Sequence, residues 1–162
     1  MHQPRRLKDK IKSLDELTPL VEQAKQQGCI TVFTNGCFDI LHSGHVKLLE
    51  QCRQTGDALI VGLNSDASVR KLKGPGRPIV PQEQRAQVVA ALESVDYVVI
   101  FNEPDPLQVI TRLVPNVLIK GGDWTPDTII GRDIVESAGG RVFAIPLMDG
   151  VSTTGIANKM KA

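Results

Sequence analysis

This 162-residue sequence predicts an α/β domain, a doubly wound parallel sheet of about five strands with helices on both faces. Three observations predict it. Short apolar runs alternate along the chain with segments of helical spacing, which is βα order. The runs are continuously rich in Val, Ile and Leu rather than alternating with polar residues, as in strands covered on both faces. Apolar residues make up 41% of the chain, enough to close one core at the size of a single domain.

An amphipathic helix is expected from about Ser13 to Gln27, within an N-terminal helical extension (1–28) ahead of a core spanning 29–162. The strand "ITVFTN" (Ile30–Asn35) opens the core, and a helix follows over Ser43–Arg53, with Ser43 as its cap and Gly56 at its end. "ALIVGLN" (Ala58–Asn64) is the second strand, leading into a short helix over Asp66–Leu72. Pro81 suits the first turn of a helix over Pro81–Leu92. "YVVIF" (Tyr97–Phe101), a helix over Pro106–Leu113, "VLIK" (Val117–Lys120), a helix near Ile130–Ala138 and "RVFAI" (Arg141–Ile145) continue the alternation. Ser152–Met160 reads as a closing helix. Right-handed crossovers turn this order into an open sheet of Rossmann type, with its ligand site at the carboxyl ends of the strands near a topological switch point.

Charge and cysteine usage exclude several classes. The 19 basic and 18 acidic side chains nearly cancel, so no global field draws the chain to nucleic acid or an anionic membrane. No apolar run approaches the roughly 20 residues that cross a bilayer, and the opening "MHQPRRLKDK" has no apolar signal core. A cytoplasmic protein is expected. Cys29, Cys37 and Cys52 are odd in number and form no CxxC pair, which fits reduced thiols.

Four stretches carry candidate chemistry. In "FTNGCFDILHSGHVKLLEQC" (Phe33–Cys52) a strand hands over to a helix, with His42 and His45 around Gly44 at the junction. A helix start offers unpaired N–H groups and partial positive charge. Two imidazoles add donors, and Gly44 lets a phosphate approach the backbone. Solvated or capping histidines are the plain alternative, and Cys37, His42 and His45 as metal ligands are another. Asp39 either caps the turn or holds a magnesium-associated water. "RKLKGPGRP" (Arg70–Pro78) is a basic loop whose Lys71, Lys73 and Arg77 could close over a polyphosphate, or a solvated connection; it lacks the ending of a Walker A loop. "KGGDW" (Lys120–Trp124) ends a strand with two glycines, and "DGVSTTG" (Asp149–Gly155) crowds Ser152, Thr153 and Thr154 at a helix start, where hydroxyls cap or bind phosphate.

Taken together, "GCFDILHSGHVKLL" and, over a hundred residues later, "GVSTT" resemble the HxGH nucleotidyltransferase superfamily, which is cytidylyltransferase-like, from about Cys29 to the end of the chain. Within it, "FTNGCFDILHSGH", "LKGPGRP" and "KGGDW" are most similar to the D-glycero-β-D-manno-heptose 1-phosphate adenylyltransferases. The resemblance implies attack of a sugar 1-phosphate on the α-phosphorus of ATP, giving ADP-heptose and pyrophosphate for heptose-containing surface glycan, without a covalent enzyme intermediate. It implies catalytic roles for His42, His45 and Lys73. It places the nucleotide on Asn35, Gly36, Cys37, Phe38, Asp39 and Gly44, with Lys71, the Gly121–Gly122–Asp123 turn, Ser152, Thr153 and Thr154. Arg77 and Arg85 are candidates for the sugar phosphate, Arg85 being equally explained by a surface salt bridge. Mg²⁺ is expected with the nucleotide phosphates rather than on direct protein ligands. ATP and a sugar 1-phosphate are the expected partners, homo-oligomerisation is left open, and the length leaves a heptose kinase to a separate protein. Two departures, Glu93 in "LESVDYV" and the lack of arginine in "PLMDGVSTT", favour ATP over CTP. The alternatives are a cytidylyltransferase acting on glycerol 3-phosphate or another phosphorylated alcohol, and a nucleotide-binding module without turnover.

Overall fold

The structure of the protein, a computed structural model, describes residues 6–146 and 152–161. Strands β1 (Thr31–Gly36), β2 (Ala58–Asn64), β3 (Tyr97–Phe101), β4 (Val117–Gly121) and β5 (Arg141–Ile145) pair in parallel in the order β3-β2-β1-β4-β5. The chain steps outward from β1 to β3, then returns to the other side of β1 for β4 and β5. The order therefore reverses between β1 and β4, which is where a doubly wound sheet leaves a crevice.

Side chains alternate between two layers. On one face, Val32, Val61, Leu63 and Ile119 pack against Leu48, Leu49 and Cys52 of α3 (Ser43–Arg53) and Ala86, Val89 and Ala90 of α5 (Gln82–Ala90). On the other, Phe33, Ile60, Val99 and Leu118 meet α2 (Leu14–Gln26), α6 (Leu107–Leu113) and α7 (Arg132–Ser137). Both faces being covered explains why the strands read as unbroken apolar runs. Helices α1 (Leu7–Lys10), α4 (Asp66–Lys73) and α8 (Thr153–Lys161) complete the set among the described residues.

The N-terminal helix is part of this core. Ser13 and Glu16 close a capping box at its start, with the Ser13 N–H donating to Glu16 Oε2 at 2.8 Å. Leu17 and Val21 are buried against the sheet, which contributes on the order of 3–6 kcal/mol. Lys25 Nζ donates to the carbonyls of Leu113 and Val114, both at 2.7 Å, and so closes the end of α6. The helix thus covers its own sheet.

Several boundaries differ from the sequence expectation. Ser43 is the first helical residue and His42 takes the cap position. Pro81 caps α5 rather than entering it. Helix α3 ends at Arg53, before Gly56. Gly56 instead allows close approach: a Cβ there would lie 2.6 Å from Val32 Cγ2 and 2.7 Å from the Ile30 carbonyl. The helix expected near Ile130–Ala138 is the shorter α7, preceded by a 3₁₀ turn over Pro126–Thr128.

Candidate active site

The turn from β1 to α3 runs through Gly36, Cys37, Phe38 and Asp39 at the carboxyl end of the sheet. Phe38 sits in the left-handed region at φ 45°, an uncommon conformation for a non-glycine residue, and its buried ring lies 5.1 Å from the His45 ring, centroid to centroid. His42 and His45 stack at 3.8 Å with 26° between their planes, because positions three apart share one helical face. The His42 backbone N–H donates to His45 Nδ1 at 3.4 Å. That nitrogen is therefore an acceptor, and neutral His45 carries its proton on Nε2. Burial, then the neighbouring His42 and Lys73 charges, pushes the His45 pKa from 6.5 to about 4. Burial also lowers that of His42, whose Nδ1 is enclosed without a hydrogen-bond partner among the described residues. Both rings are thus neutral at pH 7 and present N–H donors beside the first turn of α3, where backbone donors already favour an anion.

Asp39 is engaged within the protein. Its carboxylate is buried and accepts from the N–H groups of Ile79 at 2.8 Å and Val80 at 3.0 Å, and from Arg77 Nη1 at 2.6 Å. Burial opposes ionisation there, yet these bonds outweigh it and hold the carboxyl below its usual range. Asp39 ties the "GPGRP" loop to the β1–α3 turn, and Arg77 is the other half of that tie.

Arg85 does make a salt bridge, with Asp66 at 2.7 Å, but from the interior rather than at the surface, and this burial speaks against the expected sugar-phosphate contact. Its guanidinium is fully buried. Nε donates to the Val80 carbonyl at 2.9 Å, Nη1 to the carbonyls of Cys37 at 2.5 Å and Asn64 at 2.9 Å, and Nη2 to Asp66 Oδ1 at 2.7 Å. Four of its five N–H donors are taken within the protein, and the group has no exposed surface. Its planar fork joins the ends of β1 and β2, the basic loop and the start of α4.

The late hydroxyl stretch reaches the same place. Thr153 Oγ1 donates to the Ile40 carbonyl at 3.2 Å, across 113 positions of sequence. Ser152 Oγ accepts from the Gly155 N–H at 3.0 Å and caps α8, while Thr154 is exposed. Asp149, Gly150 and Val151 lie outside the described residues. Lys71 and Lys73 are exposed in the last turn of α4, and Lys73 is near enough to His45 to lower its pKa. Gly121 ends β4, Gly122 takes φ 124°, and Asp123 is exposed.

Lys120 is a residue that the sequence reading passed over. Its ammonium donates to Asn35 Oδ1 at 3.2 Å and lies 5.6 Å from the centre of the Trp124 ring. The signal was a lysine as the last inward position of an otherwise apolar strand, "VLIK".

Both Asp39 oxygens are bonded within the protein, and among the described residues no three carboxylate, histidine or cysteine side chains converge on a point. Cys52 is buried in the core, its thiol pushed up to about 12 by that burial, and Cys37 offers the turn its carbonyl. Among the described residues no helix is long and apolar enough to cross a membrane.

Comparison with known proteins places the chain in a family. The chain is 55% identical over 152 residues to the bifunctional protein HldE of Geotalea uraniireducens (strain Rf4), covering 94% of this chain and 31% of that protein. It is 52% identical over 161 residues to the bifunctional protein HldE of Mesorhizobium japonicum, covering 99% and 32% respectively. The chain thus spans about a third of the length of the curated relatives it matches. The crystal structure of the lipopolysaccharide core biosynthesis protein of Thermoplasma volcanium superposes with a TM-score of 0.60 at 26% identity, covering 75% of this chain and 98% of that one. The pantoate-beta-alanine ligase of Francisella tularensis, with a TM-score of 0.58 at 16% identity over 93% of this chain and 77% of that one, shares the fold alone. Residues 33–158, which hold the histidine pair and the late hydroxyl stretch, match the family described as cytidylyltransferase-like, and the chain belongs to that family of nucleotidyltransferases.

Proposed function

We propose that the protein moves AMP from ATP onto D-glycero-β-D-manno-heptose 1-phosphate, forming ADP-heptose and pyrophosphate. One observation carries the reading: the stacked His42–His45 pair at the start of α3 is met by Thr153 of the distant hydroxyl stretch. The similarity of the basic loop and "KGGDW" to heptose 1-phosphate adenylyltransferases supplies the acceptor, and the name of the Thermoplasma relative supports a place in lipopolysaccharide precursor synthesis.

In this reaction an oxygen of the sugar phosphate attacks the α-phosphorus. The bond to the α,β-bridging oxygen breaks, and pyrophosphate leaves with the electron pair. The nucleophile is already anionic, so no general base is needed. The Nε2–H of His45 and a ring N–H of His42 donate to non-bridging oxygens of the α-phosphate, and do so most strongly as negative charge builds there. The Lys73 ammonium offsets charge on the departing side, and Thr153 holds the α8 start against the turn. Magnesium travels with the triphosphate, where it would neutralise part of the pyrophosphate charge. The Asp39–Arg77 tie and Arg85 hold the surrounding loops, so the donors are preorganised rather than recruited.

A kinase reaction would supply the 1-phosphate. The relatives are named bifunctional, which weighs against the expectation of a separate heptose kinase. The test is a panel of sugar 1-phosphates and glycerol 3-phosphate crossed with ATP and CTP, followed by pyrophosphate release and product mass. Heptose 1-phosphate with ATP should give the highest kcat/KM. Preference for CTP with glycerol 3-phosphate would move the chain to the cytidylyl branch, and no pyrophosphate from any pair would refute the reading.

A further inference from the structure

At the carboxyl ends of β1 and β4, where the strand order reverses, a small cavity of about 50 Å³ opens between Asn35, Lys120, Pro106, Trp124 and the segment 128–130. It lies on the α6–α7 face of the sheet, because Asn35 and Lys120 continue the alternation of Phe33 and Leu118. The histidine pair belongs to α3, which packs on the opposite face. Asn35 and Gly36 are consecutive, so the two sites flank the end of one strand.

Lys120 is unusual among the partly buried lysines. Lys10 and Lys25 donate to carbonyls that end local structure, Leu92 and Val95 for one, Leu113 and Val114 for the other. Lys120 closes no helix; its one hydrogen bond goes to a neutral amide, and no carboxylate pairs with it among the described residues. Burial pushes its pKa down, which is the cost of keeping an ammonium where water is scarce and no counter-ion stands by. A phosphate dianion would relieve that cost. The transfer reaction brings two polyanions together and therefore needs a cation on the nucleophile's side as well as on the leaving group's. In-line displacement puts those two sides opposite one another across the phosphorus, which fits Lys120 and Lys73 standing on either side of the end of β1.

We propose that this cavity is the acceptor subsite, in which Lys120 holds the phosphate of the incoming sugar 1-phosphate and Trp124 covers an apolar face of its ring. Ile129, Ile130 and Pro106 form the apolar wall, and Asn35 fixes the ammonium in place. The inference rests on the adenylyltransferase reading, and its test separates the two. Trp124 is the sole tryptophan of the chain, so its emission reports this cavity directly. The protein is titrated with D-glycero-β-D-manno-heptose 1-phosphate, with and without α,β-methylene-ATP and magnesium, and with the ATP analogue alone.

A saturable change in emission on adding the sugar 1-phosphate is expected, together with a dissociation constant about 10- to 100-fold weaker in Lys120→Gln, the loss typical of a charge-assisted hydrogen bond. Lys120→Arg should recover part of it. In turnover, Lys120→Gln should raise KM for the sugar 1-phosphate by a similar factor and shift KM for ATP less than about threefold. The proposal is overturned if Trp124 responds to the ATP analogue alone and not to the sugar 1-phosphate, if it responds to neither, or if Lys120→Gln weakens ATP and spares the sugar. A parent protein whose Trp124 responds to the sugar 1-phosphate, but which releases no pyrophosphate, would leave the subsite standing and remove the reaction assigned to it.

Discussion

Replacing Arg85 with Met should cost both stability and turnover, and the size of each follows from its surroundings. The substitution keeps an unbranched apolar stem and removes four donated bonds, to the carbonyls of Val80, Cys37 and Asn64 and to Asp66. Asp66 is 25% exposed and turns to water. The Asn64 carbonyl is deeply enclosed and the other two are partly so. An unsatisfied buried acceptor costs about 1–3 kcal/mol, and breaking a buried pair from one side costs about 3–5 kcal/mol. The second range is the better guide, because water reaches part of the site. For a chain of 162 residues, each kcal/mol shifts Tm by roughly 2–4 °C, so a fall of roughly 6–20 °C is expected. A typical domain has about 5–15 kcal/mol to lose, and the variant should remain folded at room temperature.

The same substitution frees the Cys37 carbonyl, and with it the turn that presents His42 and His45. kcat should fall in the folded variant while KM for ATP changes little. Arg85→Lys should lie between the two proteins, since an ammonium keeps the charge but not the planar fork. Thermal melts by circular dichroism and pyrophosphate release on the same samples decide the matter. A variant that melts within about 2 °C of the parent and shows only a raised KM for the sugar phosphate would refute the scaffolding argument and restore Arg85 as a substrate contact.

His42→Asn and His45→Asn should each lower kcat by a factor on the order of 10² to 10³, the effect of about 3–4 kcal/mol lost with one such donor, while melting close to the parent; folded variants with near-parental kcat would sink the donor roles. Folded His45 sits near pKa 4 against 6.5 for the free group, so between those pH values the unfolded chain binds the extra proton. Stability should therefore be complete above pH 6.5 and decline toward pH 4, by at most about 3 kcal/mol. Denaturant melts across that range should show the slope in the parent and a flatter one in His45→Asn. Gly62→Ala should destabilise by about 1–3 kcal/mol, because its Cβ would lie 2.6 Å from Phe33 Cζ; an unchanged midpoint in urea would show that the Phe33 ring can yield.

What the sequence discloses is what local pattern and short-range geometry control. The five strands fall within a residue of their expected ends, since two covered faces force continuous apolar runs. The histidine pair was legible because positions 42 and 45 share a helical face whatever the rest of the chain does. Arg85 was not legible, since its partners at positions 37, 64, 66 and 80 come together only after β1 and β2 pair and α5 docks. Asp39 failed to declare itself for a similar reason: a carboxylate eight residues past a strand start has the same sequence signature whether it faces magnesium or the N–H groups of Ile79 and Val80. Gly56 misled, because a glycine after a helix usually ends it, whereas here the constraint is the approach of Val32 and the Ile30 carbonyl.

These placements bear on the electrostatics of the proposed reaction, which joins two anions. Among the described residues, Asp39 and Asp66 lie beside the candidate site, and each is paired with an arginine of the scaffold. Left unpaired, either would repel both substrates across a poorly hydrated gap, where charge interactions are stronger than in bulk water. Pairing removes that repulsion and uses the neutralised groups to fasten the loops. The remaining donors divide by charge: the neutral ring N–H groups of His42 and His45 beside the first turn of α3, and the ammonium groups of Lys73 and Lys120 toward its flanks. Neutral donors suit the α-phosphate, since their bonds strengthen as negative charge builds on its oxygens while they hold the ground-state triphosphate less firmly than a full charge would. Full charges suit the two groups that must be brought in and let go. The burial that lowers the His45 pKa therefore belongs to the same arrangement as the arginine ties: the one keeps the ring a neutral donor, and the others keep it in place.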